Sequence, residues 1–235
     1  MFTHLTGTTD EFTWSRASRD YMALGPAIRR VLGPHLARRV AVRYRGIYVD
    51  LAQLAAALAT VIPRDAHLLD VGGGDGLPLN QLLAVRPDLT ITTLDPAPVV
   101  GQWIEERFEG RVTRLPRTSL AEYVSSGLSD PDVVLIADVM HHIAEEARAE
   151  FLGSVRVLLE RVPSLRILVK DVEPGYWRAL LSYWSDRFIT GDRNVSLISS
   201  DNMTCLFKRA LGPLHREDTP LFKSDEPNYA IVFYR

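Results

Sequence analysis

Cysteine, long apolar runs and net charge are all scarce in this sequence. Its one cysteine, Cys205, cannot form an internal disulfide, and a lone thiol is typical of a reducing compartment, so we expect a cytoplasmic protein. No stretch of about 18 residues is purely apolar. The first twenty residues hold five charged side chains and no apolar block, unlike a secretory signal. The sequence therefore predicts neither export nor a membrane anchor.

The balance of charge limits the kinds of partner. Lysine and arginine number 27 against 29 aspartates and glutamates, for a formal net charge of -2. Such a chain has no strong overall field to draw it onto nucleic acid or anionic lipid. We therefore expect a small-molecule partner, with no nucleic acid and no membrane bound.

The length and composition indicate one globular domain with an added segment. The chain has 235 residues, of which 46% are hydrophobic and 24% charged. Residues 1–45 have an irregular helical pattern that Gly25-Pro26 and Gly33-Pro34 interrupt. We interpret 1–45 as an N-terminal helical cap or lid and 46–235 as the main domain. The cap could close over a pocket or form the arm of a homodimer, and the sequence does not separate the two.

Helical and strand patterns alternate along the first part of the main domain. Strict alternation predicts βαβ units and a parallel sheet that is covered by helices on both faces. The predicted strands are 67–71, 90–94, 111–115, 132–137 and 165–170, and the predicted helices are 49–61, 77–85, 99–108, 119–125 and 144–161.

The last part of the chain departs from this alternation. A helix over 201–211 precedes two strands, 215–222 and 229–234, that are joined by a turn at 224–228. A turn this short can join only antiparallel strands, because a parallel pair needs a crossover of a dozen or more residues. The sequence therefore predicts an α/β fold with a Rossmann-like, seven-stranded, mostly parallel sheet, a C-terminal antiparallel hairpin and an N-terminal helical cap.

A glycine-rich turn follows the first strand. The run Leu68-Leu69-Asp70-Val71-Gly72-Gly73-Gly74-Asp75-Gly76 leads from a buried strand into a helix. Glycines there allow positive φ and let a ligand approach the backbone. A second acid, Asp95, ends the next strand about 20 residues later, where a carboxylate can accept hydrogen bonds from ribose hydroxyls.

Three ligand assignments are open for this turn. It could be a tight connection that binds nothing, it could bind a dinucleotide, or it could bind a cationic ligand. Asp70 is not part of the dinucleotide fingerprint, whereas it suits a cationic amino group. Asp95 could alternatively cap a helix that starts near Ala97. Two carboxylates together favour a sulfonium ligand over a pyrophosphate.

These features resemble the class I S-adenosylmethionine-dependent methyltransferases, and among them the small-molecule O-methyltransferases. The resemblance rests on the run from Asp70 to Gly74 and on a histidine after the fourth strand, in Ala137-Asp138-Val139-Met140-His141-His142-Ile143. It implies S-adenosyl-L-methionine as cofactor and no metal. By analogy with the family, the cofactor-binding residues would be Asp70, Gly72, Gly74, Asp95, Pro96, Thr118, Ser119 and Asp138.

The same resemblance places a base at His141. A neutral imidazole is suited to accept the proton of a hydroxyl as the hydroxyl is methylated. His142 is the second candidate, and on a helix start the two side chains would point about 100° apart. His141 could instead cap a helix or line the pocket without acting as a base, and Asp138 could be a helix N-cap.

Substrate contacts are expected after the fifth strand, because ligands bind at the carboxyl ends of strands in open α/β sheets. The candidates are Asp171, Tyr176, Trp177 and Trp184. The aromatic side chains could form a wall for a planar substrate, but their helical spacing also fits core packing.

The leading hypothesis is in-line methyl transfer to the oxygen of a small molecule, assisted by a histidine base. The alternatives are N- or C-methylation of a small molecule, methylation of RNA or protein, and a non-methylating role such as that of a cyclase.

Overall fold

The computed structural model describes residues 51–175, 195–219 and 228–235, and the structural statements below concern those ranges. Helix α1 (Leu51–Val61) leads into β1 (His67–Val71), as predicted. The expected cap over 1–45 and the turn at 224–227 lie outside the described residues. None of the helices described is long and apolar enough to cross a membrane.

Strands and helices then alternate along the chain. The elements after β1 are α2 (Leu77–Val85), β2 (Thr90–Asp95), a 3-10 helix (Glu106–Arg111), β3 (Val112–Pro116), α3 (Leu120–Ser125), β4 (Val133–Ala137), a second 3-10 helix (Met140–His142), α4 (Glu145–Arg161), β5 (Arg166–Val172), α5 (Ser200–Leu211), β6 (His215–Asp218) and β7 (Asn228–Tyr234).

The strands form one seven-stranded sheet in the order β3-β2-β1-β4-β5-β7-β6. The first five strands are mutually parallel, and β7 pairs antiparallel with both β5 and β6. The predicted mostly parallel sheet with antiparallel C-terminal strands is therefore confirmed. The strand order reverses between β1 and β4, which opens a crevice outside the carboxyl ends of these strands.

The central strands are apolar because both faces of the sheet are covered. One buried cluster joins the sheet to α3, α4 and α5, and Phe207 stacks on Phe233 within it at 4.9 Å between ring centroids. A second cluster joins the other face to α1 and α2 through side chains such as Leu58 and Leu82. Burial on both faces accounts for the continuous apolar runs of β4 and β5.

The helix predicted over 99–108 is wrong. Residues 96–105 are turns and irregular chain, and only the short 3-10 helix Glu106–Arg111 follows. The amides of Gly101 and Trp103 donate to the carbonyl oxygens of Gly74 and Asp75, at 2.8 and 2.9 Å, instead of to carbonyls within a helix. The segment is thereby attached to the glycine-rich turn.

Candidate active site

The glycine-rich turn lies at the carboxyl end of β1, in the crevice where the strand order reverses. Gly72, Gly74 and Gly76 have φ values of 75°, 52° and 78°, in the left-handed region that favours glycine. Gly73 is required for a different reason, since a Cβ there would lie 1.8 Å from Thr93 Oγ1 and 2.5 Å from Asp70 Oδ2. The turn is therefore packed closely on the polar side chains below it.

Most backbone amides of this turn already donate hydrogen bonds to acceptors within the protein. Gly72 and Gly73 donate to Leu94 O, at 2.8 and 3.1 Å, and Gly76 donates to Gly73 O. At the start of α2, Leu77 N donates to Asp75 Oδ1, and Pro78 has no amide hydrogen. A pyrophosphate needs free amides at such a helix start, so these contacts count against the dinucleotide alternative.

Asp70 is a buried carboxylate beneath the turn. It is 5% exposed, and Thr93 Oγ1 donates to its Oδ2 at 2.7 Å. Burial raises the pKa of Asp70 to about 6, the hydrogen bond from Thr93 opposes this, and the charge of Asp95 adds to it. A cation bound nearby would favour the ionised carboxylate. The turn and its acid therefore suit a ligand with a positive charge.

Asp95, at the end of β2, links two segments that border the crevice. Its Oδ2 accepts from Gly74 N at 3.1 Å, and its Oδ1 accepts from Ala97 N at 2.8 Å. No helix starts at Ala97, so the carboxylate stabilises a turn and is not a helix N-cap. A carboxylate has about four lone-pair sites, and the two not used here could accept hydrogen bonds from hydroxyl groups.

Asn80 is a residue of this region that sequence reasoning missed. It lies buried in α2, where its side-chain amide donates to Trp103 O at 2.9 Å and its Oδ1 accepts from Glu105 N at 2.8 Å. These two bonds hold residues 103–105 against the turn. Only its place in the mostly apolar stretch Leu77–Leu83 could have pointed to it, and the neighbouring Gln81 weakens that signal.

Thr118 and Ser119 follow β3 and lie next to Asp95. The amide of Thr118 donates to Asp95 O at 3.1 Å, and its hydroxyl donates to Pro116 O at 3.1 Å. Ser119 is the N-cap of α3 and forms a reciprocal capping box with Glu122. Their predicted contact with an adenine ring stays a prediction, as does the contact from the exposed Pro96.

Asp138 follows β4 and binds a buried lysine. Lys170 Nζ donates to Asp138 Oδ1 at 2.6 Å and to Oδ2 at 2.8 Å, and the Lys170 side chain is only 2% exposed. Partial desolvation opposes ionisation of Asp138, but the charge and hydrogen bonds of Lys170 outweigh it and lower the pKa of that carboxyl. The N-cap of the 3-10 helix Met140–His142 is Val139, so Asp138 is not the helix cap considered above.

His141 forms a buried pair with Asp171. Its Nδ1 lies 2.6 Å from Asp171 Oδ1, and the two side chains are 2% and 0% exposed. A carboxylate only accepts hydrogen bonds, so the proton of this contact lies on Nδ1 of His141. The carboxylate of Asp171 lies on His141, and its predicted contact with substrate stays a prediction. The His142 ring is 4.1 Å from that of His141 between centroids, and it is partly exposed.

One group of described residues has donor atoms spaced as a cation site requires. It consists of Asp138, His141 and Asp171, whose donor atoms all lie within 4.8 Å of one another. The Lys170 ammonium already occupies one side of it, on Asp138.

The structure thus brings Asp70, Gly72, Gly74 and Asp95 together on one side of the crevice and Asp138, His141 and Asp171 on the other. The strand register explains this, because the carboxyl ends of β1, β2, β4 and β5 meet at one edge. Tyr176, Trp177 and Trp184 lie outside the described residues, so their role stays a prediction.

Comparison with known families gives one match. A family model described as a methyltransferase domain matches residues 43–210, most of the chain. No curated protein sequence matches the chain.

Solved structures share the fold at low sequence identity. Human N-acetylserotonin methyltransferase in complex with SAM has a TM-score of 0.62 at 18% identity, over 89% of this chain and 58% of that protein. An O-methyltransferase family protein from Burkholderia thailandensis has a TM-score of 0.61 at 19% identity, over 88% of this chain and 61% of that one. This chain therefore spans about three fifths of their lengths.

A third structure matches in length as well. It is the 1,6-didemethyltoxoflavin-N1-methyltransferase of Burkholderia thailandensis, solved with bound 1,6-didemethyltoxoflavin and S-adenosylhomocysteine. Its TM-score is 0.57 at 17% identity, over 91% of this chain and 89% of that one.

The raised pKa of Asp70 predicts a gain in stability for Asp70→Asn above neutral pH. The carboxyl ionises near its ordinary pKa of 3.8 in the unfolded chain and at about 6 in the folded protein. Stability is therefore lost as the pH rises between these values, and the full loss, up to about 3 kcal/mol, persists at higher pH. Asparagine cannot ionise and can still accept from Thr93, so the variant should recover most of that free energy near pH 8.

Urea unfolding at several pH values measures this gain. The difference between Asp70→Asn and wild type should shrink as the pH falls from about 7 toward about 4. Glu150→Gln removes an exposed acid from α4 and is the matched control. A variant that is less stable than wild type at every pH would show that Asp70 stabilises the fold as an anion.

Proposed function

Because this chain belongs to the methyltransferase-domain family, we propose that it transfers a methyl group from S-adenosylmethionine to the oxygen of a small molecule, with His141 as the base. The resemblance to class I methyltransferases that Asp70 to Gly74 and His141 indicate is confirmed by this membership. The observation that carries the finer proposal is the buried His141–Asp171 pair at the carboxyl ends of β4 and β5.

The crevice residues fit the proposed cofactor. S-adenosylmethionine, when bound, supplies a methyl group that is activated by a positively charged sulfonium. Asp70 would face the amino group of its methionine portion and Asp95 its ribose hydroxyls. The scarcity of free amides at the start of α2 suits such a ligand better than one with phosphates. Asp138, anionic beside Lys170, would contribute negative potential near the sulfonium.

His141 and Asp171 would handle the proton of the acceptor. His141 Nε2 would take the proton of the acceptor hydroxyl as that oxygen is methylated, and the methyl donor would leave as S-adenosylhomocysteine. Asp171 holds Nδ1 protonated, which keeps Nε2 in its acceptor form, and it stabilises the imidazolium that results. Holding the reactants in line would supply much of the rate enhancement besides this base.

A small-molecule acceptor is supported by the structural relatives. Two of them are named for N-acetylserotonin and 1,6-didemethyltoxoflavin. The near-neutral net charge of this chain agrees with such a partner better than with nucleic acid.

Methyl transfer to nitrogen is the second candidate. The observation in its favour is that the N1-methyltransferase matches this chain over 89% of its own length, whereas the O-methyltransferase family protein is matched over 61%. A nitrogen acceptor that carries no proton would not need His141 as a base. The two candidates therefore differ in how strongly they depend on this residue.

Label transfer tests the function itself. The protein is incubated with methyl-labelled S-adenosylmethionine and with pairs of acceptors that differ only in a hydroxyl or an amino group. We expect label in the hydroxyl compound of at least one pair, together with an equal amount of S-adenosylhomocysteine. Cofactor binding with no S-adenosylhomocysteine formed for any acceptor would contradict the proposal, and label confined to the amino compounds would favour the second candidate.

His141→Ala tests the base. Loss of a general base lowers the turnover number about 100-fold to 10,000-fold, and Asp171→Asn should lower it in the same direction because the imidazole loses its anionic partner. Cofactor affinity should change little in either variant. His142→Ala is the matched control, with a smaller loss expected. A larger effect at His142 than at His141 would move the base to His142.

Asp95→Ala tests the cofactor contact. Loss of charged hydrogen bonds to the ribose hydroxyls costs about 1.5–3 kcal/mol, or roughly a 10-fold to 100-fold weaker affinity for S-adenosylmethionine. Calorimetry measures this affinity. Asp95→Asn keeps one acceptor oxygen, so its affinity for S-adenosylmethionine should lie between those of Asp95→Ala and wild type. Unchanged affinity in a folded Asp95→Ala protein would exclude the ribose contact.

A further inference from the structure

Asn80 is a polar residue on the buried face of α2. It is 4% exposed, and Leu79 and Leu83 of the same helix belong to the apolar cluster that joins α1 and α2 to the sheet. A buried amide side chain costs free energy unless its hydrogen bonds are made. Both ends of this side chain bond to backbone, since Nδ2 donates to Trp103 O at 2.9 Å and Oδ1 accepts from Glu105 N at 2.8 Å. The side chain therefore acts as a link between α2 and the chain that follows β2.

The segment that Asn80 holds, residues 96–105, forms neither helix nor strand. Ordering an irregular chain costs conformational entropy, so contacts with other elements must keep it in one place. Its middle is bonded to the glycine-rich turn, because Gly101 N donates to Gly74 O at 2.8 Å and Trp103 N donates to Asp75 O at 2.9 Å. The side-chain bonds from α2 follow directly after these two.

The first part of the segment borders the crevice. Ala97 N donates to Asp95 Oδ1 at 2.8 Å, and Arg117 N, just after β3, donates to Ala97 O at 2.9 Å. Residues 96–99 are exposed. The segment thus runs from the proposed ribose contact at Asp95 back to the glycine-rich turn, along one side of the crevice.

The segment and the turn are packed so closely that a displacement of one affects the other. A Cβ on Gly76 would lie 2.8 Å from the Cα of Gly101. Gly101 itself has a φ of 63°, and a Cβ there would lie 2.8 Å from Ile104 Cδ1 and 3.0 Å from Arg114 Nε. The position of this wall of the crevice therefore depends on its anchors.

We propose that Asn80 is a positioning residue for the cofactor. Through the backbone of Trp103 and Glu105 it keeps residues 96–105 in place before a ligand arrives, as a preformed wall beside Asp95. A ligand then does not have to order the segment when it binds, which raises its affinity. The effect on the adenosine part of S-adenosylmethionine rests on the proposed function, whereas the anchoring of the segment does not.

Amide hydrogen exchange in the ligand-free protein, followed by NMR, tests the anchoring. Asn80→Leu has a side chain of similar size that makes neither hydrogen bond. It should speed exchange at the amides of Gly101 and Trp103, which do not bond to Asn80, by at least about fivefold, and should leave β4 unchanged. Gln81→Leu makes the same kind of change on the exposed side of α2 and is the matched control. Unchanged exchange at both amides in folded Asn80→Leu would overturn the proposal.

Calorimetry with two probes tests the effect on the cofactor without requiring an acceptor. S-adenosylhomocysteine carries both the adenosine and the amino-acid part, and 5′-methylthioadenosine lacks the amino-acid part. Asn80→Leu should weaken the binding of both by a similar factor, at least about fivefold. Asp70→Asn, on the other side of the turn, should weaken S-adenosylhomocysteine alone.

The two probes separate a positioning role from a purely structural one. Asn80→Leu that unfolds at a lower temperature but binds both probes as wild type does would show that Asn80 only stabilises the fold. Weaker binding of S-adenosylhomocysteine with unchanged 5′-methylthioadenosine would likewise overturn the proposal. Wild type that binds neither probe would contradict the proposed function, and the exchange measurement would still decide the anchoring.

A second variant keeps the test decisive if Asn80→Leu does not fold. Gly101→Ala crowds Ile104 and Arg114, so it displaces the segment without altering a side chain of α2. It should produce the faster exchange at Trp103 and the weaker binding of both probes. A folded Gly101→Ala protein with wild-type affinity for both probes would show that the position of the segment does not matter to the ligand.

Discussion

The parallel register of β1, β2, β4 and β5 is the constraint on which the site depends. It brings the carboxyl ends of the four strands to one edge of the sheet, so Asp70, Asp95, Asp138 and Asp171 meet there although they are spread over 100 residues of sequence. The reversal of strand order between β1 and β4 opens the crevice between them.

The glycine-rich turn illustrates how hydrogen-bond satisfaction selects a ligand. Such turns suit phosphates when their amides are free, but here the amides of Gly72, Gly73 and Gly76 are bound to backbone carbonyls and that of Gly74 to Asp95. The turn therefore offers a ligand few amide donors, but it offers negative charge from Asp70 below the turn and from Asp95 beside it. The protein retains a buried acid whose pKa is raised by burial, a perturbation typical of functional sites.

The opposite side of the crevice is organised by two pairs between the ends of β4 and β5. Lys170 neutralises Asp138, and Asp171 orients His141, so adjacent residues of β5 serve two different partners. Successive side chains of a strand point to opposite faces, which is why Lys170 and Asp171 can hold separate partners. The side chains of Asp138 and His141 are thus held in position by residues of a strand, β5, and not by residues of a loop.

The sequence by itself determined the α/β class, the parallel sheet with its antiparallel end, and the glycine-rich turn and acidic strand ends that border the crevice. These follow from local signals: apolar periodicity, a glycine run after a buried strand, and acids at strand ends. Tertiary structure alone decided that residues 96–105 are not a helix, because the amides of Gly101 and Trp103 find acceptors in the turn after β1. It also decided that His141 pairs with Asp171, and Asp138 with Lys170. Those partners lie 30 and 32 residues apart, and only the register of β4 against β5 brings them within hydrogen-bonding distance.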